Sequence, residues 1–419
     1  MNSIKEGIDF GELIQDDRIH GSLYTDPDIY REELDRIFHN GWVFVGHDSE
    51  IPNPGDWVRR AIGEQPVLMI RDNDGQVQVI MNRCTHRGNL LCTQKQGNNK
   101  QLVCPYHGWV FGADGQLLDT PEPSGYGKQW NKADFDVPQA NHVEVYRGFV
   151  FACLAEEAIT LAEHLGDAAE LLDRMVDMSP EGEIEVTGGW LQHRFKANWK
   201  MLPENDTDGY HVAVTHQSFV MATSSQVADY VGEGALPKVR DWGMGHTEID
   251  FRLGYRDTDR TFEWYGRLDE AKVPDYVSKM ETRYGKEDAR KMLVDGPPHA
   301  IIFPNLFLAE MNIVFYFPVG PDECVQVYTP LYLKGAPDMN KRTIRQTEGA
   351  VGPAAFLLAD DVTIAERTQI GLRAHGNDWL DLSRGMDREA VDEDGHPVSE
   401  LSDETPNRAF WSHYKSVMA

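Results

Sequence analysis

Two short stretches, Cys84-Thr85-His86-Arg87-Gly88 and Cys104-Pro105-Tyr106-His107-Gly108-Trp109, each offer one thiolate and one imidazole. Seventeen residues separate His86 from Cys104. A two-iron cluster in which two histidines replace two cysteines on one iron needs this set of ligands. The spacing therefore predicts such a cluster, with Cys84 and Cys104 on one iron and His86 and His107 on the other.

Zinc held by two cysteines and two histidines is the alternative interpretation of these stretches. Zinc sites of that composition usually take their cysteines from one loop and their histidines from another, whereas each loop here is mixed. The remaining cysteines, Cys92, Cys153 and Cys324, are interpreted as buried structural residues. Five cysteines in 419 residues indicate a reducing compartment, so the cytoplasm is the expected location.

The sequence around the two loops predicts three segments. Residues 1–39 are expected to be largely helical, and residues 40–157 form a block of short strands and tight turns. Within that block an Asp-Gly signal at residues 72–75 predicts a hairpin between Val67–Arg71 and Val77–Met81. Residues 158–419 mix helical and strand patterns and form the third segment.

The third segment contains several predicted elements whose bounds depend on hydrophobic patterning. Strands are expected at Val186–Phe195 and His299–Leu308, and helical sequence at Lys341–Leu372 with an interruption near Gly352-Pro353. The acidic segment Asp387–Glu404 is expected to be a loop.

A second group of metal-binding residue types lies in Glu204-Asn205-Asp206-Thr207-Asp208-Gly209-Tyr210-His211, with His216 following. Two histidines and one carboxylate are diagnostic of mononuclear Fe(II) oxygenases. Residues five apart on an α-helix lie about 140° apart, so the backbone must bulge or end its helix between His211 and His216. Asp208 is three residues from His211 and can contact it directly.

Composition excludes several classes of partner. A formal net charge of −28 argues against nucleic acid and against anionic membranes, because both require positive patches. We expect no leader, because the sequence near Met1 lacks a continuous apolar run. We expect no transmembrane helix, because the sequence has no run of about 18 apolar residues.

The Cys84 and Cys104 loops resemble the Rieske signature of the α subunits of ring-hydroxylating oxygenases. The stretch from Glu204 to His216 resembles the iron motif of the same subunits. This resemblance implies that His211 and His216 bind the iron with a distant aspartate, Asp361, in a Gly352-Pro353-Ala354-Ala355…Asp360-Asp361 context. Asp360 remains the alternative carboxylate. Asp208 is then expected to link His211 to His107 of a neighbouring subunit.

The resemblance also implies a fold and an assembly. The expected class is α+β, with an all-β Rieske [2Fe–2S] domain inserted in a helix-grip catalytic domain, in which an antiparallel sheet surrounds a long helix. Such α subunits form α3 trimers or α3β3 assemblies with a small β subunit.

The implied activity is NADH- and O2-dependent cis-dihydroxylation of an aromatic ring, the substrate being a small aromatic acid or a related compound. Electrons are expected to come from a separate reductase, with or without a ferredoxin. Monooxygenation, as ring hydroxylation or N- or O-dealkylation, is an alternative with the same metals, and a non-catalytic electron carrier is an alternative of another class. The expected substrate pocket comprises Asn205, Phe303, Leu306 and Phe307.

Overall fold

The computed structural model describes residues 7–223, 236–255, 260–265, 267–352, 357–374 and 376–419. The chain divides into two compact units by its internal contacts. The smaller unit comprises residues 38–161 with 185–187, and the larger comprises residues up to 37, 162–184 and 188–419. The predicted segment bounds at 39/40 and 157/158 stay a prediction.

Helices and strands are both abundant, which confirms the predicted α+β class. The α-helices of the described residues are α1 (Phe10–Leu13), α2 (Pro27–Glu33), α3 (Leu161–Leu165), α4 (Ala169–Asp177), α5 (Met201–Asp206), α6 (Val212–Thr215), α7 (Gln217–Thr223), α8 (Pro274–Tyr284), α9 (Lys286–Asp295), α10 (Pro337–Gln346), α11 (Leu358–Gly371) and α12 (Thr405–Met418). Among them, no helix has the length and apolar character needed to cross a membrane.

The strands of the described residues are β1 (Arg18–His20), β2 (Val43–His47), β3 (Asp56–Ile62), β4 (Gln65–Arg71), β5 (Val77–Met81), β6 (Gln96–Asn98), β7 (Gln101–Val103), β8 (Val110–Gly112), β9 (Leu117–Asp119), β10 (His142–Tyr146), β11 (Phe149–Cys153), β12 (Ile184–Glu185), β13 (Leu191–Phe195), β14 (Lys238–Gly243), β15 (His246–Asp250), β16 (Thr261–Phe262), β17 (Leu268–Asp269), β18 (His299–Ile302), β19 (Leu306–Ala309), β20 (Asn312–Gly320), β21 (Glu323–Pro330), β22 (Tyr332–Leu333), β23 (Trp379–Asp381), β24 (Ala390–Val391) and β25 (Pro397–Glu400).

The smaller unit is built from antiparallel sheets. Their strand orders are β10-β11-β2, β5-β4-β3-β6 and β7-β8-β9. The predicted hairpin between β4 and β5 is confirmed. Asp72 closes it by accepting hydrogen bonds from the amides of Asp74 and Gln76 at 2.9 and 2.8 Å, and Gly75 supplies the positive φ of 83° that the turn requires.

The larger unit contains a nine-stranded antiparallel sheet in the order β13-β21-β20-β19-β18-β15-β14-β25-β24. Successive residues of a strand point to opposite faces of a sheet, so directly paired residues share a face. One such row crosses five strands and defines what we call the site face: Thr247, Ile301, Phe307, Val314 and Tyr328. Thr207, just after α5, bonds the Thr247 hydroxyl at 2.8 Å, so the end of α5 packs on the site face.

One predicted strand is interrupted where the sequence suggested continuity, and one predicted interruption of a helix is confirmed. The strand expected at His299–Leu308 is two strands, β18 and β19, because Pro304 has no amide hydrogen to donate to a ladder. The helical sequence expected over Lys341–Leu372 comprises α10, a wider helical turn at Thr347–Val351 and α11. Gly352 is extended, with ψ 164°, which confirms the interruption predicted near this residue, and Pro353 lies outside the described residues.

Two other predictions were wrong about strands. The segment expected to be a loop, residues 387–404, contains β24 and β25, and β25 pairs with β14. Polar residues are typical of strands near a sheet edge, so their composition resembles that of a loop. Of Val186–Phe195 only the part from Leu191 is a strand, because Gly188 and Gly189 precede it and glycine disfavours strands.

A buried ion pair ties three helical segments of the larger unit together. Lys200 donates to the Glu33 carboxylate at 2.5 Å, and both side chains are fully buried. Glu33 also accepts hydrogen bonds from the Trp199 indole at 2.9 Å and the Tyr414 hydroxyl at 2.6 Å. α2, α12 and the turn that begins α5 are therefore joined through one carboxylate.

We expect Lys200→Met to lower the free energy of unfolding by about 3–5 kcal/mol, because the Glu33 carboxylate would stay buried without its charged partner. The matched control is Lys238→Met, which removes a partly exposed pair with Glu400 and should cost less than about 1 kcal/mol. Urea unfolding followed by circular dichroism measures both values. Equal losses in the two variants would contradict the assignment.

Candidate metal centres

Two loops of the smaller unit hold the four predicted cluster residues in matching backbone geometry. The Gly88 amide donates to the Cys84 carbonyl at 2.9 Å, and the Gly108 amide donates to the Cys104 carbonyl at 3.0 Å. Both glycines have positive φ, 75° and 74°, a conformation that is easily adopted only by glycine. Each loop therefore closes one or two residues after its histidine.

The donor atoms of these loops fit a two-iron cluster. Cys84 and Cys104 are buried, and the ring centroids of His86 and His107 lie 4.6 Å apart. Burial raises the pKa of the Cys84 thiol, and the neighbouring Cys104 raises it further. The Nδ1 atom of His86 is buried and has no hydrogen-bond partner among the described residues. Adjacent thiols and an unpartnered imidazole nitrogen are donors that such a cluster would use.

Aromatic rings cover the histidines. Trp109 is buried and stacks on His86 at 4.7 Å between ring centroids, with an interplanar angle of 9°. Tyr106 lies over His107 at 3.7 Å between ring centroids, and it is exposed. Packing therefore restricts the orientation of both imidazoles.

The other three cysteines lie buried without a disulfide. Burial raises the pKa of the Cys92 thiol to about 11 and also raises the pKa values of Cys153 and Cys324. They remain neutral thiols at physiological pH, as expected of structural cysteines.

The second group of predicted ligands lies where short helices end. His211 directly precedes α6, and His216 directly follows it with φ −95° and ψ 27°. The helix between the two histidines spans only four residues. The predicted break in the helix is confirmed, and it allows both imidazoles to turn towards one point.

α5, just before these histidines, is held in place by Glu204. The Glu204 carboxylate accepts hydrogen bonds from the Tyr24 hydroxyl at 2.8 and 2.9 Å and from the Trp411 indole at 2.9 Å. Burial raises the pKa of Glu204 to about 7. The metal-binding stretch is thus tied to α12 and to the N-terminal segment.

His211, His216 and Asp361 bring three potential ligand atoms together. The Nε2 atoms of the two histidines are 3.2 Å apart, and Asp361 Oδ1 lies 3.5 Å from the first and 3.0 Å from the second. One atom from each residue lies within 4.8 Å of the others. Burial raises the pKa of Asp361, but the two imidazoles outweigh it and lower the pKa below its ordinary value. Three converging donors from two histidines and one carboxylate fit a single iron with open positions.

The remaining ring nitrogens face two other carboxylates. Asp208 Oδ2 lies 3.3 Å from His211 Nδ1, and Asp360 Oδ2 lies 3.6 Å from His216 Nδ1. A carboxylate behind a ligand histidine fixes its ring orientation and its tautomer. The position of Asp360 on the Nδ1 side favours Asp361 as the ligand.

We expect the affinity of this site for a divalent cation to fall about tenfold for each pH unit below about 9. Burial lowers the pKa of His211, but the carboxylates of Asp208 and Asp361 outweigh it and raise the pKa to about 9. A cation binds the neutral imidazole, so below that pH binding must release a proton. Competition with a coloured chelator across about pH 6 to 9 measures the slope.

The control for this slope is Asp208→Asn, which removes one charge that raises the pKa of His211. In this variant the fall in affinity should begin at a lower pH than in the wild-type protein. A wild-type affinity that does not change with pH would show that His211 is not the titrating ligand.

The four predicted pocket residues have different surroundings. Phe307 is on the site face, whereas Leu306, its neighbour in β19, points to the opposite face. Phe303 packs against aromatic residues of α12. Leu306 and Phe303 are buried, and the substrate pocket stays a prediction. Asn205 lies in α5, where its carbonyl accepts the Asp208 amide at 3.1 Å.

Sequence reasoning missed a buried polar connection beside the metal-binding residues. The Tyr316 hydroxyl donates to the Asp206 carboxylate, and His299 donates through Nε2 to the Asp206 carbonyl at 2.9 Å. Burial raises the pKa of Asp206, and nearby Asp361 raises it further. Burial also lowers the pKa of His299 to about 4, so that imidazole is neutral. The one signal in the sequence was a tyrosine within the apolar strand β20.

Two family models match the chain. Residues 41–141 match the model described as the Rieske [2Fe-2S] domain. Residues 183–419, more than half of the chain, match the model described as the ring hydroxylating alpha subunit (catalytic domain).

Individual proteins are similar over most of the chain. The anthranilate 1,2-dioxygenase large subunit of Acinetobacter baylyi is 29% identical over 405 residues, which are 92% of this chain and 84% of that protein. An N,N-dimethyl phenylurea N-demethylase subunit alpha of a Sphingobium strain is 33% identical over 309 residues, 72% of this chain and 64% of that protein. The structure of a naphthalene 1,2-dioxygenase mutant bound to phenanthrene aligns with a TM-score of 0.85 at 26% identity, covering 98% of this chain and 95% of that one.

Proposed function

The chain belongs to the α subunits of Rieske ring-hydroxylating oxygenases, and on that premise we propose that it adds both atoms of O2 to an aromatic ring as a cis-diol. It is the terminal oxygenase of a multicomponent system. The observation that carries the proposal is the convergence of His211 Nε2, His216 Nε2 and Asp361 Oδ1, three donors that would hold one iron and leave it further coordination positions for O2.

We assign Cys84 and Cys104 to one iron of the [2Fe–2S] cluster and His86 and His107 to the other. When bound, the cluster supplies single electrons and the mononuclear Fe(II) activates O2. The side chains of this protein orient the residues that would hold the metals.

Asp208 and Asp360 orient the imidazoles of His211 and His216, keeping each Nε2 aimed at the ion. Phe307 and Val314, which are buried on the site face, help to keep water from the reacting groups.

We propose that the active assembly is a trimer, α3 or α3β3, in which the cluster of one chain serves the iron of the next. Asp208 is only partly buried, and close to it Tyr210 is 55% and Val214 81% exposed. In the smaller unit Val103 and Tyr106, beside His107, are 55% and 53% exposed. Each centre is therefore flanked by exposed apolar side chains of the kind that subunit contacts bury.

The electron donor is proposed to be an NADH-dependent reductase, with or without a ferredoxin. A chain with no disulfide among its five buried cysteines suits a reducing compartment, so we propose a cytoplasmic location.

The substrate is proposed to be a small aromatic compound, with an aromatic acid as the first candidate because one relative is named for anthranilate. A carboxylate substrate usually pairs with arginine. The described residues of β13 and β18–β21 that point to the site face include neither arginine nor lysine. A carboxylate would need its cationic partner from another element.

The decisive experiment uses the reconstituted system with 18O2. Two labelled oxygens in one diol are expected from dioxygenation, and a single labelled oxygen would refute it. Metal analysis should find about three irons and about two acid-labile sulfides per chain. Full oxygenase activity with only about two irons per chain would refute the mononuclear site, and a two-iron protein without oxygenase activity would indicate the electron carrier.

Monooxygenation is the second candidate, as ring hydroxylation or as N- or O-dealkylation. It is favoured by the similarity to the N-demethylase subunit, since the same metals serve either outcome according to which substrate atom faces the iron. N-methylanilines in the same labelled assay distinguish it: loss of the methyl group without diol formation would support this second candidate.

A further inference from the structure

One corner of the site face is polar although it is buried. His193, Gln326 and Tyr316 are directly paired across β13, β21 and β20, and Tyr328 follows two residues after Gln326 on the same face. We call these four residues the polar corner. Tyr316, Gln326 and Tyr328 have no exposed surface.

Three atoms of the polar corner lack a hydrogen-bond partner within the part of the chain that the structure describes. They are Gln326 Oε1, the Tyr328 hydroxyl and His193 Nδ1, and each of these atoms is buried. Buried polar atoms are hydrogen-bonded in nearly all cases, so three unpartnered ones on neighbouring residues point to a ligand.

Hydrogen bonding identifies which atom of Gln326 is open. The Tyr316 hydroxyl uses its hydrogen to donate to the Asp206 carboxylate. Its oxygen can then only accept, so Gln326 places Nε2 towards it, at 3.4 Å. The open atom is the amide oxygen, which accepts hydrogen bonds and cannot donate them.

The polar corner lies next to the metal-binding residues. Asp206, which Tyr316 contacts, interacts electrostatically with Asp361 and His211. Lys196, directly after β13, donates its amide hydrogen to the carboxylate of Glu366 at 2.9 Å, and Glu366 lies about one and a half turns beyond Asp361 on α11. The polar corner therefore lies close to α11, the helix that carries the carboxylate ligand.

We infer, on the basis of the proposed function, that the polar corner binds a hydrogen-bond-donating group on the aromatic substrate, such as an amino, hydroxyl or ring N–H group. Gln326 Oε1 accepts from this group, and the Tyr328 hydroxyl makes the second contact. A carboxylate could only accept, and it would face both Oε1 and the acidic side chain of Asp206. A substrate acid would thus need an additional amino or hydroxyl group to occupy this corner.

Three bicyclic compounds of nearly equal shape test the inference: indole has a ring N–H, indene has a methylene group in its place, and benzofuran has an oxygen that can only accept. The iron-loaded oxygenase with its reductase should prefer indole over both others by about tenfold in kcat/KM, because a buried acceptor left unpaired penalises the analogues. Anaerobic calorimetry should give the same order of binding.

Gln326→Leu should reduce the preference for indole to less than about threefold, and Tyr328→Phe should reduce it partly. The matched control is Gln101→Leu, an exposed glutamine in the smaller unit, which should leave the preference unchanged. The inference would be overturned if the wild-type protein showed the same kcat/KM and the same affinity for all three compounds. Diol formation from all three alike would nevertheless leave the proposed function intact, whereas a binding preference without any oxygenated product would refute the proposed function alone.

Discussion

Replacement of Asp361 by alanine is expected to remove the mononuclear iron and to lower turnover by more than about 100-fold. This loss exceeds the one expected from removing a residue that only hydrogen-bonds a ligand. Asp361 Oδ1 lies within 3.0–3.5 Å of both histidine Nε2 atoms, and two imidazoles alone do not complete a facial triad. Iron content should fall from about three to about two per chain, and the visible absorption of the cluster should persist.

The matched control is Asp360→Ala. Asp360 lies on the Nδ1 side of His216, at 3.6 Å, and is 39% exposed. Its loss should therefore cost about tenfold in turnover, in the range typical of residues behind a ligand, with all irons retained. If the two variants exchanged these behaviours, Asp360 would be the ligand.

Asp208→Ala is expected to retain both metal centres and yet to abolish product formation. The Asp208 carboxylate contacts His211 Nδ1 at 3.3 Å, and it is partly exposed in the same segment as the exposed side chains of Tyr210 and Val214. Removing it breaks the proposed contact to His107 of a neighbouring chain without removing a ligand. Rapid-reaction spectroscopy should show a reduced cluster that fails to reoxidise when substrate and O2 are added.

Mixed assemblies show which chain uses Asp208. His107→Ala disables the cluster of one chain and Asp361→Ala disables the iron of another, so co-assembly of the two should restore part of the turnover. Adding Asp208→Ala to the His107→Ala chain should abolish this rescue, whereas adding it to the Asp361→Ala chain should not. Rescue that is insensitive to Asp208 in both chains, or an active monomer, would refute the proposed route.

Sequence reasoning worked best where chemistry limits the choice of residues. The paired Cys-x-His and Cys-x2-His loops are defined by ligand types and spacing, and Gly88 and Gly108 mark the closing turns. The five-residue interval between His211 and His216 also predicted that the helix must bulge or end between them. In the structure a four-residue helix lies between the two histidines. Such features depend on local geometry alone.

Pocket and edge-strand residues could not be assigned because they depend on pairing between distant strands. Leu306 and Phe307 are adjacent and both apolar, and only the register of β19 with β18 and β20 decides which one faces the site. The contact of Asp206 with Tyr316 joins residues 110 positions apart. The hydrophobic pattern of neither segment predicts this contact.

His216 and Asp361 are separated by 145 positions in the chain, yet their side chains meet at 3.0 Å. An ion that binds only this folded arrangement stabilises it by about 2.7 kcal/mol when its free concentration is 100 times the dissociation constant. A bound iron would thus also cross-link two distant segments of the chain. Removing it would raise the unfolded fraction that proteases attack, so the iron supply would set the abundance of the enzyme in addition to its rate.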